Sequence, residues 1–305
     1  MKLENNIRSM KLVTLTTLLL VLLIKDALAQ TQVSSYVDPT IGNVSRFLVP
    51  TFPTAHLPNQ MIRTYPDKGD YLSDQVSSFP LQIAAHRNNG LFRMKVIQGE
   101  LNQQSKNRKM TIDHDLEVVH PWLYATYLIE DGIWVRFAPG RKSAIYQFET
   151  SEKDELHWTI SGSEDLSGKL DDKIILLQDK IRYTTRGTEP EHRVMDVFAH
   201  VVMTTGKDGD VMTPSLSTQK GKVVVSLPKM DESAVQMKYG ISYISPEQAR
   251  FNYEHEAKDQ QLEELAANGR QVWETTLSQI QVEGGTESQR RTFYTSLYRT
   301  YERMV

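Results

Sequence analysis

The sequence predicts a mainly β protein, a large antiparallel β-sandwich followed by a few α-helices. Three observations carry this. First, ten stretches between Leu91 and Ile244 are rich in β-branched and aromatic residues, and several alternate cleanly, as in Ile133-Trp134-Val135-Arg136-Phe137 and Val235-Gln236-Met237-Lys238-Tyr239. Second, short turns such as Glu130-Asp131-Gly132, Lys207-Asp208-Gly209 and Lys220-Gly221 separate them with no helical period between. So many strands without crossover helices pair antiparallel and stack as two sheets. Third, the period changes at Ser245-Pro246-Glu247-Gln248, where Ser245 can cap a helix, Pro246 suits its first position and Gln248 completes a capping box.

In chain order, Lys2, Arg8 and Lys11 precede the apolar run Leu12 to Ile24, and Ala27-Leu28-Ala29 fits a small-residue cleavage site. Residues 1–29 therefore read as a signal peptide, too short in its apolar part to span a bilayer. A cysteine-free exported chain suits a bacterial periplasm or secretion, with no membrane insertion after cleavage. Residues 30–245 form the sandwich domain. Its first part is punctuated by Pro39, Pro50, Pro53, Pro58 and Pro66, which forbid a long helix, while Phe47, Leu48, Phe52, Leu57, Met61 and Ile62 call for burial. Strands are expected at 91–98, 123–129, 133–138, 144–149, 156–161, 173–178, 181–185, 194–204, 222–227 and 235–244.

Residues 246–305 are helical. One short helix runs to Glu256, and a second, supported by Leu262, Leu265, Ala266, Val272, Trp273 and Leu277, should bend near Asn268-Gly269. Thr286 and Gln289 form a capping box, so a last helix starts near Glu287. Phe293, Leu297 and Tyr301 recur on it at four-residue spacing beside Tyr294 and Tyr298, a face that needs a partner. We read the chain as the front of a longer protein.

Composition removes several function classes. A net charge of -3 and a pI near 6.3 offer no field for nucleic acid, and Lys106-Asn107-Arg108-Lys109 reads as a solvated loop. Without cysteine there is no thiolate nucleophile. Asp113-His114-Asp115 alternates across a strand and reads as a turn; Glu254-His255-Glu256 spreads around a helix, so zinc has no support. Gly284-Gly285-Thr286 lacks the lysine of a phosphate loop, and no Gly-x-Ser-x-Gly elbow is present.

Two blocks carry a resemblance. Tyr36-Val37-Asp38-Pro39-Thr40-Ile41-Gly42, Thr51-Phe52-Pro53, Pro58, Met61 and Pro66-Asp67 make the first. Tyr239-Gly240-Ile241-Ser242-Tyr243, Glu247-Gln248-Ala249, Trp273, Val282-Glu283-Gly284-Gly285-Thr286 and Phe293-Tyr294-Thr295-Ser296-Leu297-Tyr298 make the second. In order and spacing they resemble glycoside hydrolase family 92, which contains exo-acting α-mannosidases. The resemblance implies an N-terminal sandwich packed on a C-terminal (α/α)6 domain, mostly missing here, with calcium assisting catalysis and a mannose-containing glycan as substrate. It implies inverting hydrolysis, α-1,2-mannosidase-like, by an acid and a base about 6.5–9.5 Å apart. Those groups and the calcium ligands belong to the helical domain, so no catalytic and no metal residue is assigned to this chain, and the fragment alone should be inactive.

The chain departs from the family where the sandwich supplies sugar contacts. Val49-Pro50 stands for Gly-His, Thr54 for Gly, and Pro58-Asn59-Gln60-Met61 for Pro-Phe-Gly-Met. Ser78-Phe79-Pro80-Leu81-Gln82 and His86-Arg87 replace a histidine- and glycine-rich loop. The candidates for sugar binding are His56, Arg63, His86 and Arg87, which can hydrogen-bond hydroxyls, and Trp122, which can stack on a ring. Each has a structural alternative, and Trp134 reads as core. A non-catalytic carbohydrate-binding sandwich is the alternative function.

Overall fold

The computed structural model describes residues 32–45, 47, 50–84, 90–184, 192–229, 231 and 233–302. The signal-peptide segment, Leu48, Val49, His86 and Arg87 lie outside these. The strands are β1 (Ala55–His56), β2 (Arg63–Thr64), β3 (Asp67–Lys68), β4 (Gln75–Ile83), β5 (Gly90–Gln98), β6 (Met110–Thr111), β7 (Val118–His120), β8 (Leu123–Leu128), β9 (Ile133–Pro139), β10 (Ser143–Thr150), β11 (Leu156–Ser161), β12 (Ser167–Asp171), β13 (Ile174–Thr184), β14 (His192–Thr205), β15 (Ser215–Gln219), β16 (Lys222–Leu227) and β17 (Ala234–Ser242). The helices are α1 (Gln103–Asn107), α2 (Pro246–Glu256), α3 (Leu262–Leu277) and α4 (Glu287–Thr300).

An eight-stranded sheet in the order β12-β13-β14-β17-β10-β9-β8-β7 stacks on a seven-stranded one, β15-β16-β11-β5-β4-β3 with β6 paired to β4. Alternation dictates the core: Ile133, Val135 and Phe137 of β9 and Met237 and Tyr239 of β17 are all 0% exposed. Phe148 of one sheet meets Trp158 of the other at 5.3 Å. Hydroxyls also cross the layer. Tyr146 and Tyr239 donate to the carbonyls of Pro80 and Leu81 at 2.7 and 2.6 Å.

Several expectations are corrected. β4 was not foreseen, because Pro80 interrupts its run; it is tolerated opposite Arg93, and its carbonyl also accepts from Thr64 Oγ1 at 2.8 Å. The two stretches at 173–178 and 181–185 are one strand, β13, continuously paired with β14. Trp134 is not core: with Ile133, Val135 and Phe137 claiming the inner face, it points outward, half-buried against Tyr127 at 5.4 Å. Phe47 is 96% exposed rather than buried. The basic run begins in a helix, α1, whose Asn102 and Ser105 cap each other. Asp113 and His114 do form a turn, Asp113 accepting from Asp115 N at 2.9 Å.

α2 lies on β10, β14 and β17, and α3 on β9 and β10, so the helices cover the outer face of the eight-stranded sheet. Ser245 caps α2 through Gln248 N at 3.2 Å, but the Gln248 side chain turns to Asn252 rather than closing a box. Gly240 is the contact point: a Cβ there would lie 2.3 Å from Ala249 O and 2.5 Å from Tyr253 N. Lys238, 2% exposed, reaches the carbonyls of Lys258 and Gln260 beyond α2 at 3.3 and 2.6 Å. α3 does not bend. Gly269 sits in mid-helix because a Cβ there would come within 3.0 Å of Trp122 Cβ and 3.2 Å of Leu57 Cδ2. Among the described residues no helix is long and apolar enough to cross a membrane.

Candidate functional site

The proline-punctuated loops, α3 and α4 meet at one end of the eight-stranded sheet, and three of the five sequence candidates lie there. α4 starts at the Thr286–Gln289 capping box as expected. Its buried side is Tyr294, Thr295 and Tyr298, with Leu297 and Tyr301 partly buried and Phe293 37% exposed. The expected stripe is therefore rotated, because the partner is a loop that offers carbonyls and amides, which tyrosine and threonine can bond and phenylalanine cannot.

Side chains of α3 and α4 capture that loop's backbone. Glu274 accepts from Val33 N and Ser34 N at 3.0 and 2.9 Å, and Thr295 Oγ1 from Asp38 N at 2.9 Å. Arg299 donates to the carbonyls of Pro39 and Ile41, each at 2.8 Å. Tyr36 stacks on Tyr294 at 5.8 Å. The two blocks of family-like sequence, joined by contacts between residues 257 to 260 positions apart in the chain, are thus one structural unit.

His56 is sealed inside it, 1% exposed. Its ring stacks on Tyr298 at 4.9 Å and meets Trp273 edge-on at 5.4 Å, while its carbonyl accepts from Trp273 Nε1 at 2.7 Å. Nδ1 faces the Leu57 carbonyl at 3.2 Å, which places the ring proton there, and Nε2 has no partner among the described residues. Burial, reinforced by the Arg63 and Arg299 guanidiniums and opposed by the Leu57 carbonyl, lowers its pKa to about 3. The imidazole is neutral at any ordinary pH.

Arg63, on β2, pairs with Glu302 at 3.3 Å just past α4, the side chains 8% and 12% exposed. Burial lowers its pKa and Glu302 opposes that. Thr54 Oγ1 lies 3.3 Å from the same carboxylate and 3.2 Å from Tyr298 OH. Trp122, 8% exposed, is stacked between His120 at 5.0 Å and the Arg270 guanidinium at 5.7 Å. His56 and Arg63 thus share one polar cluster, and Trp122 borders it across α3; His86 and Arg87 lie outside the described residues.

Sequence reasoning passed over a second buried network. Lys68 pairs with Glu117 at 2.6 Å with both side chains essentially unexposed, at 0% and 1%. Glu117 also accepts from Tyr124 OH at 2.6 Å, and His114 Nδ1 lies 3.0 Å from its other oxygen. Lys68 sits over the rings of Tyr65 and Tyr71 at 5.7 and 5.6 Å. With both oxygens engaged, Glu117 joins the sheet edge to the loops and is not an available base. No spacing in the sequence marks this pair. Among the described residues no three His, Asp or Glu gather in a way that could hold a metal ion.

The fold has solved counterparts. The inverting family 92 mannosidase BT2199 of Bacteroides thetaiotaomicron superposes with a TM-score of 0.72 at 20% identity, over 89% of this chain and 40% of its own. The family 92 α-mannosidase BT3965 of the same organism gives 0.67 at 19%, over 88% and 41%. The family 92 glycosyl hydrolase ccman5 gives 0.69 at 17%, over 88% and 41%. The chain thus spans about two fifths of the length of these structures. No curated protein matches it as a relative. Family models match in tandem: the glycosyl hydrolase family 92 N-terminal domain over residues 36–242 and the family 92 catalytic domain over 248–303, with residues 243–247 between them where the last strand gives way to α2. With the N-terminal model covering the whole sandwich, this chain belongs to glycosyl hydrolase family 92.

Proposed function

We propose that the chain is the N-terminal portion of an exported, calcium-dependent exo-α-mannosidase, inverting and α-1,2-mannosidase-like. Its sandwich shapes the sugar pocket, and a helical domain carries acid, base and calcium. One observation supports this above the others: the N-terminal and catalytic-domain models follow each other across β17 and α2 without a gap in the fold. Solved neighbours named as mannosidases point the same way, one of them in complex with mannoimidazole. The substrate in this reading is a mannose-containing glycan, and the intramolecular partner is an (α/α)6 domain of which α4 is the first helix.

Within the proposal, His56 and Trp122 brace the wall behind the pocket, since His56 is covered by α3 and α4 and Trp122 by α3, while Arg63 stands at its rim with Glu302. His86 and Arg87 remain candidate sugar contacts. No catalytic step is assigned to the described residues, and none is routed through calcium. The test is an assay of the complete protein and of the 305-residue chain on α-mannosides with and without a calcium chelator. Chelator-sensitive hydrolysis by the complete protein, with none by the chain alone, is the expected outcome. An inactive complete protein that still binds mannose-containing glycans in calorimetry would replace the enzyme with the non-catalytic binding module.

A further inference from the structure

The outer face of the seven-stranded sheet lies opposite the helix-covered side, and two adjacent rungs cross it. Register places Gln219, Lys222, Ser161 and Arg93 side by side in one rung, and Ser217, Val224, Thr159 and Lys95 in the next. With Lys106 of α1 along one flank, these residues line a cleft of about 280 Å³. Four cations line it, Arg93, Lys95, Lys106 and Lys222, and among the described residues no carboxylate does. In a chain of net charge -3 this concentration is local.

Lys95 separates the cleft from an ordinary solvated basic surface. It is 7% exposed, and its ammonium donates to the Lys106 carbonyl at 3.3 Å. A lysine held this deep usually faces a carboxylate. Here the nearby Asp131 is bonded to Arg108, and Asp67 is occupied by Arg93 Nε at 3.0 Å and by Ser78. Apart from the aliphatic Leu101, Ile160 and Val224, the remaining lining is hydroxyl and amide, with no aromatic ring among the described residues. Bases and neutral sugars are held largely by stacking, so the lining disfavours both and suits a hydroxylated ligand recognised by its charge.

We propose that this cleft binds an anionic saccharide, a sugar bearing a carboxylate or phosphate, at a position remote from the sandwich–helix junction. Lys95 supplies the fixed charge, Lys106 and Lys222 the adjustable ones, and Thr159, Ser161, Ser217 and Gln219 meet the hydroxyls. The site would hold the protein on acidic glycan and does not depend on the mannosidase reading.

Affinity electrophoresis and calorimetry of the 305-residue chain test it with a phosphate-bearing mannan, polygalacturonate, neutral mannan, a DNA duplex and inorganic phosphate. One or both charged glycans should bind, more weakly as salt rises, and the better of the two identifies the anion. The double variant K106E/K222E, on exposed side chains, should weaken that binding by about tenfold or more with its thermal melt unchanged. Charged-glycan affinity kept by the double variant would overturn the site. So would duplex DNA binding more tightly than either glycan, or inorganic phosphate binding as tightly as the charged glycan. Loss of α-mannosidase activity in the complete protein is a separate readout and leaves this one untouched.

Discussion

Two buried regions of this molecule are built on different physics. Between the sheets, the core is aliphatic and aromatic, and its members come from the inward phase of many strands. At the junction with the helices, the buried set is small, and it is held by side chains bonding backbone: Trp273 to His56 O, Tyr298 to Thr54, Arg299 to Pro39 and Ile41, Glu274 to Val33 and Ser34. In the core a deletion weakens the sandwich as a whole without detaching any one segment, because any one contact is one of many. The junction depends on a few directional bonds between segments distant in sequence, and it should fail as a unit.

Paired tryptophan deletions break the comparison most sharply. Trp158 and Trp273 are both 0% exposed, and each truncation to alanine should cost about 3–5 kcal/mol. Trp158→Ala should lower the single melt of the sandwich. Trp273→Ala should instead release the loops and α3–α4 first, seen by hydrogen exchange as early loss of protection at 32–65 while β5, β9 and β17 stay protected. Identical exchange maps for the two variants would erase the distinction.

Acid probes the same boundary. A histidine with a folded pKa near 3 and an ordinary unfolded one takes up its proton on unfolding, so its contribution is complete above about pH 6.5 and is lost as pH falls toward 3. At pH 5 the loss from His56 is about 2 kcal/mol. Burial lowers His120 and His200 as well, which adds in the same direction. Chemical denaturation at pH 7 and pH 5 should show this destabilisation, and His56→Phe should reduce it to the part owed to His120 and His200.

The smallest effect sharpens the contrast. Tyr298→Phe keeps the stacked ring and removes the hydroxyl shared with Thr54, for a loss of about 0.5–1.5 kcal/mol. Phe148→Leu, a change confined to the core, should cost a similar amount without altering the pH dependence.

Much of the sandwich was legible because a half-buried strand prints its inner face every second residue, and β9 and β17 do so cleanly. β4 was hidden by Pro80, which is harmful only where its missing amide is needed. Trp134 shows the limit of size as a guide: phase, set by its three aliphatic and aromatic neighbours, overrode bulk. Of the site, the helix start at Thr286 could be read locally, since a capping box is closed within four residues. Which face of α4 is buried could not, because that depends on carbonyls offered by a loop some 250 residues earlier. The Lys68–Glu117 pair was likewise silent, being made by tertiary proximity alone.

The smallest residue on β17 sets how closely α2 approaches the sheet. At Gly240 the backbone of α2 rests directly on the sheet, with no side chain between them to compress or rotate. Soft packing would let the helix wander by a fraction of its diameter, whereas here main chain meets main chain. Gly240 is in effect a surveyor's benchmark: α2 is levelled against it, and a single added methyl would lift the helix off the sheet.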